Sequence, residues 1–218
     1  MKISFKWKNK GYSQSLSKFR GLLWGVRPFL VVLLLFIIVR SFFFSLITLP
    51  NNQKAFVNMF AYGVHLPTES IFGNKRLGEH PPQKGDEVVF KLSNGKNSEE
   101  AIYSGKCITL AGENVWVDPL EQRFLPGKTS PDAQPICIPS KAQNVRITPF
   151  NIRLFAYLLS HYEACKHVQI ISDNTLQVEG KTMHSVRFTH NYYWVEIMPK
   201  TFVIVPHDAL IGKVVYNF

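Results

Sequence analysis

The side chains of this chain best suited to chemistry are three cysteines and seven histidines, and their spacing decides what they can do. Cys107, Cys137 and Cys165 stand far apart, with no Cys-x-x-Cys pair and no metal-ligand spacing. An odd number leaves at least one thiol over, so one disulfide and buried small side chains are both open readings. His161 and Cys165 are four residues apart, a spacing that shares a helix face, but packing is the simpler use of two such side chains. His65, His80, His184, His190 and His207 are scattered. No Gly-x-Ser-x-Gly, His-Glu-x-x-His or phosphate-binding glycine loop occurs. These motifs imply no metal and no cofactor.

The elements that must position these residues read as short strands. Ala55–Tyr62 alternates enough for a strand, and Gly63 to Pro82 is punctuated by proline and glycine as a loop. After the Gly85-Asp86 turn, Glu87–Leu92 and Ala101–Leu110 read as strands, with Asn114–Val117 following as in a hairpin. Asp118–Ser140, rich in proline and glycine, reads as an excursion from the sheet. Thr148-Pro149 carries a capping hydroxyl and a first-turn proline. Ile152, Phe155, Leu158, Leu159 and Tyr162 then recur at helical spacing, predicting a helix to about Lys166. Further strands are expected at Val168–Ile171, Thr175–Val178, His184–Phe188, Tyr192–Ile197, Phe202–Val205 and Lys213–Tyr216. Many short strands separated by turns argue a mainly antiparallel β domain.

The N-terminus is of another kind. From Pro28 to Val39 there is no charge, and apolar character resumes past Arg40 through Leu49. A bilayer core takes roughly 20 apolar residues in a helix, so residues 21–48 are expected to be a single transmembrane anchor. The net charge is +10, but eight basic residues and no acid fall in the first 40 positions, leaving +2 for the rest. The excess therefore belongs to the tail. Basic residues beside a membrane helix stay on the cytoplasmic side and favour anionic lipid. The expected layout is a cytoplasmic tail at 1–20, the anchor, and an extracytoplasmic domain at 49–218. Nucleic acid is not expected as a partner.

Several stretches, in order, resemble signal peptidase I, the membrane-anchored serine/lysine-dyad protease, in its longer bacterial form with an inserted cap. Val39–Pro50 is similar to the exit from the anchor into the nucleophile loop, and Phe60–Pro67 to the segment beyond it. Pro82-Gln83-Lys84-Gly85-Asp86-Glu87-Val88-Val89-Phe90 resembles the family's proline, Gly-Asp and Val-Val-Phe strand. Leu110-Ala111-Gly112-Glu113 resembles its Leu-Pro-Gly-Asp turn, and Tyr192–Val195 and Val205–Lys213 its closing strands. The resemblance implies a signal-peptidase-like antiparallel β domain, with a small helical cap inserted at about 118–190.

The three catalytic boxes depart from the family pattern. A serine nucleophile needs a base within hydrogen-bond reach, and in this family a lysine with a pKa lowered by burial supplies it. The resemblance places Gln53, in Pro50-Asn51-Asn52-Gln53-Lys54, where the serine belongs. It places Gly105 at the lysine and Lys106 at the arginine that follows. A one-residue step in a strand turns the side chain to the opposite face, so Lys106 could act as base only if a bulge restored the register. The polar loop that buttresses the family's site is absent, because Glu196–Thr201 joins the last strands directly.

The expectation is therefore a signal peptidase homologue that has lost catalysis and retains binding at the outer face of the cytoplasmic membrane. Its partners would be exported or signal peptides, an active peptidase paralogue or a translocation component. By resemblance Ile102, Tyr103 and Ser104 form the strand that lines the peptide groove. Two other readings stay open: an active peptidase with a rearranged serine/Lys106 site, and a structural membrane subunit.

Overall fold

The computed structural model describes residues 27–38, 40, 43–50, 53–65, 76–93, 100–118, 123–125, 127–128 and 131–218. The chain divides into two units, Met1–Phe43 and Phe44–Phe218. The basic tail and the first residues of the expected anchor lie outside the described residues. Residues 27–38 are helical (α1), with exposed side chains. Among the described residues no helix is long and apolar enough to cross a membrane.

The second unit is mainly β. Its strands in chain order begin with Phe44–Thr48 (β1), Lys54–Asn58 (β2), Val64–His65 (β3), Arg76–Leu77 (β4), Glu87–Ser93 (β5) and Glu100–Thr109 (β6). Then come Asn114–Asp118 (β7), Arg123–Leu125 (β8), Gln134–Cys137 (β9) and Asn144–Arg146 (β10). After the helix Ile152–His161 (α2) follow Val168–Ser172 (β11), Thr175–Val178 (β12), Lys181–Met183 (β13) and Ser185–Arg187 (β14). Tyr192–Met198 (β15), Thr201–Pro206 (β16), a 3-10 turn at His207–Ala209 and Leu210–Asn217 (β17) end the chain.

Seven of these strands pair in the order β1-β2-β17-β5-β6-β15-β16, and every pairing is antiparallel. β17, last in sequence, lies between β2 and β5 and joins the two halves of the sheet. Residues 44–48 correct the expected anchor, which ran to position 48. Aromatic and β-branched residues suit a strand, and Phe44–Thr48 pairs residue for residue with Lys54–Asn58. Ile47 thereby packs against the buried Leu49, Ala55, Val57, Val89 and Val214. The strand expected over Ala55–Tyr62 stops at Asn58, whose side chain accepts the Phe60 N–H (3.0 Å) and turns the chain.

Side chains alternate across a strand, and β6 is covered on both faces. Tyr103 and Cys107 pack with Tyr62, Val88, Phe90, Tyr193 and Val195. Ile102 packs on the opposite cluster around Val57 and Val89.

Among the described residues the insertion between β6 and β15 holds eight short strands, β7 to β14, and one helix. This corrects the small helical cap, and its start moves earlier than 118 because β7 pairs with both β8 and β9. Within the proline- and glycine-rich stretch, Arg123–Leu125 and Gln134–Cys137 thus belong to a three-stranded sheet. The helix corrects its expected ends as well. Its N-cap is Asn151, not Thr148. Asn151 uses its side chain to close a turn, accepting from the Thr148 N–H (2.8 Å) and donating to the Arg146 carbonyl (2.9 Å). The helix stops at His161, and Ala164, at φ 55°, turns the chain out of it. α2 buries Ile152, Phe155, Leu158 and Leu159 against Ile147, Leu176 and Phe188, and against Tyr192, Trp194 and Ile204 of the main sheet. Each fully buried side chain of this size contributes about 1.5–3 kcal/mol, so an apolar core seats the insertion on the sheet.

Candidate functional site

The turn into β5 sets the edge of the site. Gly85, at φ 88°, and Asp86 form a bulge opposite Cys107. The Gly85 N–H donates to the Cys107 carbonyl (2.8 Å), and the Cys107 N–H donates to the Asp86 carbonyl (2.8 Å). This is the arrangement in which glycine takes the left-handed first position, and it accounts for Gly-Asp ahead of the strand. The Asp86 carboxylate accepts from Lys213 Nζ (2.7 Å), the Gln83 N–H (3.0 Å) and the Tyr62 hydroxyl (3.2 Å). Burial opposes its ionisation, but the donors led by Lys213 outweigh burial and hold its pKa below the usual carboxylate range. Beneath this turn, burial, aided by the charges of Asp86 and Glu113, pushes the Cys107 thiol up to about 12. A thiol in that state is not a nucleophile at neutral pH.

Lys106 is on the face away from Cys107 and is exposed. Its neighbours directly across the ladder are Glu87 on β5 and Glu196 on β15, an opposite-charge row of the kind that supports a sheet surface. A bulge that would turn Lys106 inward is not found at Gly105. The β6–β15 register shifts where Cys107 and Thr109 oppose Val195 and Trp194, beyond Lys106, so Lys106 keeps its outward face. Gly105 has a separate reason to be glycine. A Cβ there would lie 2.6 Å from the Glu196 carbonyl oxygen and 2.7 Å from Val195 Cγ1, so a lysine does not fit the position assigned to the family's base.

Gln53, at the position assigned to the serine, lies in the connection between β1 and β2, where its carbonyl accepts from the Leu49 N–H (2.9 Å). β17 and β5 intervene between β2 and β6. Three strand spacings amount to about 14 Å along the sheet, so a hydroxyl at that turn is out of hydrogen-bond reach of Lys106. At the far edge β15 and β16 form a tight hairpin in which Met198 opposes Thr201 and the Lys200 N–H bonds Glu196 Oε1 (3.0 Å).

β6 itself carries a different capacity. Both main-chain groups of Cys107 bond toward the β5 side. By strand alternation Tyr103 and Gly105 do the same, in register with Phe90 and Val88. The N–H and C=O of Ile102 and Ser104 therefore face the other way, toward β15. The β6–β15 register ends at Lys106–Glu196, because β15 bends at Glu196–Met198 into its hairpin. Among the described residues no strand pairs with Ile102–Ser104 on that side. Ile102, Tyr103 and Ser104 are half-buried, and Tyr103 stacks on Phe90 with ring centroids 6.3 Å apart. The result is a strand with one hydrogen-bonding edge that no described strand pairs.

The histidine and cysteine constellations resolve differently. α2 ends at His161, so Cys165 does not share its face. His161 stacks on Tyr157 (4.2 Å) and its Nδ1 is 2.9 Å from Ser160 Oγ. The three cysteines are free thiols. Among the described residues no group of three or more His, Cys, Asp or Glu is placed to hold a metal ion. Sequence reasoning missed His190, whose ring lies between Glu163 and Asp208. No local spacing signals that cluster, since its members come from the insertion and the main sheet. No family model, curated protein or solved structure matches the chain.

Proposed function

We propose that this chain is a signal-peptidase-like binding protein that takes an exported peptide as an added strand and does not cleave it. The open edge of β6 at Ile102 and Ser104 carries this reading. An extended peptide pairing there satisfies the main-chain donors and acceptors of Ile102 and Ser104, the mode by which sheet edges recognise peptides without a catalytic group. Gln53 lacks an ionisable hydroxyl, Gly105 leaves no room for a buried lysine, and exposed Lys106 is three strands away from Gln53. The apolar stretch ahead of β1 anchors the chain in the cytoplasmic membrane, with the basic tail inside and the β domain outside.

The test uses the full chain in detergent with two substrates: a pre-protein carrying a small-residue signal site, and a fluorescent extended peptide spanning that site. Expected are no cleavage beside an active signal peptidase control, and peptide binding that Ser104→Pro abolishes. Proline at Ser104 removes an N–H that β5 does not use. Cleavage that Lys106→Ala abolishes would overturn the reading, as would peptide binding indifferent to Ser104→Pro in a folded variant.

A further inference from the structure

His190 sits where the insertion returns to the main sheet, and both its ring nitrogens face carboxylates. Nδ1 is 3.2 Å from Glu163 Oε1, and Nε2 is 3.0 Å from Asp208 Oδ2. Carboxylate oxygens only accept, whereas a neutral imidazole has a single N–H and can serve one of them. The imidazolium alone donates to both. Glu163 follows α2 in the insertion, and Asp208 lies in the 3-10 turn between β16 and β17.

We propose that His190 is a proton-operated clasp that fastens the segment after α2 to the main sheet, and that loss of its proton releases one of the two attachments. The rest of the cluster is built around the charged form. The Glu163 side chain is only 5% exposed. It accepts from the Thr189 N–H (3.0 Å), the Thr189 hydroxyl (2.6 Å) and the Tyr192 hydroxyl (2.9 Å). Thr189 Oγ1 is also 3.0 Å from His190 Nδ1. Glu79, Lys141, His207 and Asp208 are the charged or titratable groups that line the adjoining cleft of about 150 Å³, with Thr189 and Asn191. The hydrogen bonds to Asp208 and Glu163 outweigh the burial that opposes protonation and raise His190 from 6.5 to about 9. A histidine raised in this way stabilises the fold fully below about 6.5, and the contribution is lost as pH rises through about 9. Ile152, Phe155, Leu158 and Leu176 in the core under the insertion carry no titratable group, so deprotonation weakens the hold on residues 162–167 while the domain stays folded.

Two readouts on the full chain in detergent test this. The first is histidine-labelled NMR between pH 5 and 10.5. The expected His190 midpoint lies near 9, falling by at least one unit in Asp208→Asn; a midpoint near 6.5, or one unmoved by Asp208→Asn, overturns the clasp. The second is tryptic cleavage after exposed Lys166, normalised to the unfolded chain at each pH. The wild-type rate is expected to rise at least fivefold from pH 7 to 10, with Asp208→Asn and His190→Gln already faster at pH 7. A flat wild-type rate overturns it. Should His190→Gln fail to fold, Asp208→Asn still decides.

Discussion

At the scale of single residues, Gly105 shows how closely β6 and β15 approach each other. Gly105 packs against the Glu196 carbonyl and Val195 so closely that even Cβ has no place. The β6–β15 ladder therefore occupies the volume a buried base would need. Gly105→Ala is expected to cost about 1–3 kcal/mol through overpacking, measured by urea denaturation, and Gly105→Lys is expected to cost more without creating activity. Lys106→Ala, by contrast, is expected to stay within about 0.5 kcal/mol of wild type, since an exposed side chain in a surface charge row contributes little. The two neighbours in sequence differ because adjacent strand residues face opposite sides of the sheet.

At the scale of elements, the two edges of β6 behave differently. Tyr103 and Gly105 direct their main-chain groups to β5, whereas Ile102 and Ser104 direct theirs to the open edge. Proline scanning separates them. Tyr103→Pro removes a ladder donor inside the sheet and is expected to cost about 3 kcal/mol or more, seen as loss of the cooperative thermal transition. Ser104→Pro is expected to keep that transition and lose only peptide binding. The insertion has its own electrostatic dependence. Burial disfavours the Glu163 carboxylate, but His190, Thr189 and Tyr192 overcome it and lower the pKa from 4.5 to about 2. A carboxylate depressed in the folded state stabilises above about 4.5, and that contribution is lost as pH falls toward 2. Glu163→Gln is therefore expected to flatten the thermal midpoint of the chain between pH 5 and 2.5, where the wild-type midpoint declines.

At the scale of the whole molecule, the last strand closes the sheet. β17 pairs with β2 on one side and β5 on the other, and the Phe218 and Lys54 main chains exchange two hydrogen bonds (3.0 Å each). Truncation before Leu210 divides the seven-stranded sheet, exposes Val57, Val89 and Phe90, and is expected to abolish the cooperative unfolding transition rather than lower its midpoint. Strand positions were legible locally: Glu87–Leu92, Thr175–Val178, Tyr192–Ile197 and Phe202–Val205 match the observed strands to within a residue or so at each end, because alternation and turn residues are short-range properties. Phe44–Thr48 was not, because its aromatic and aliphatic residues continue an apolar run and only pairing with Lys54–Asn58 makes them a strand. The eight described strands of the insertion were partly hidden for the same reason: pieces of three to five residues carry little periodicity and take their form from their partners. What the sequence alone determined is the mainly β character and the well-patterned helix after Thr148. Tertiary structure alone decided the strand order, the edge at Ile102 and Ser104 that no described strand pairs, the fit of Gly105 and the meeting of Glu163, His190 and Asp208. Each depends on segments distant in sequence burying surface together, and local pattern does not encode which distant partner a strand will find.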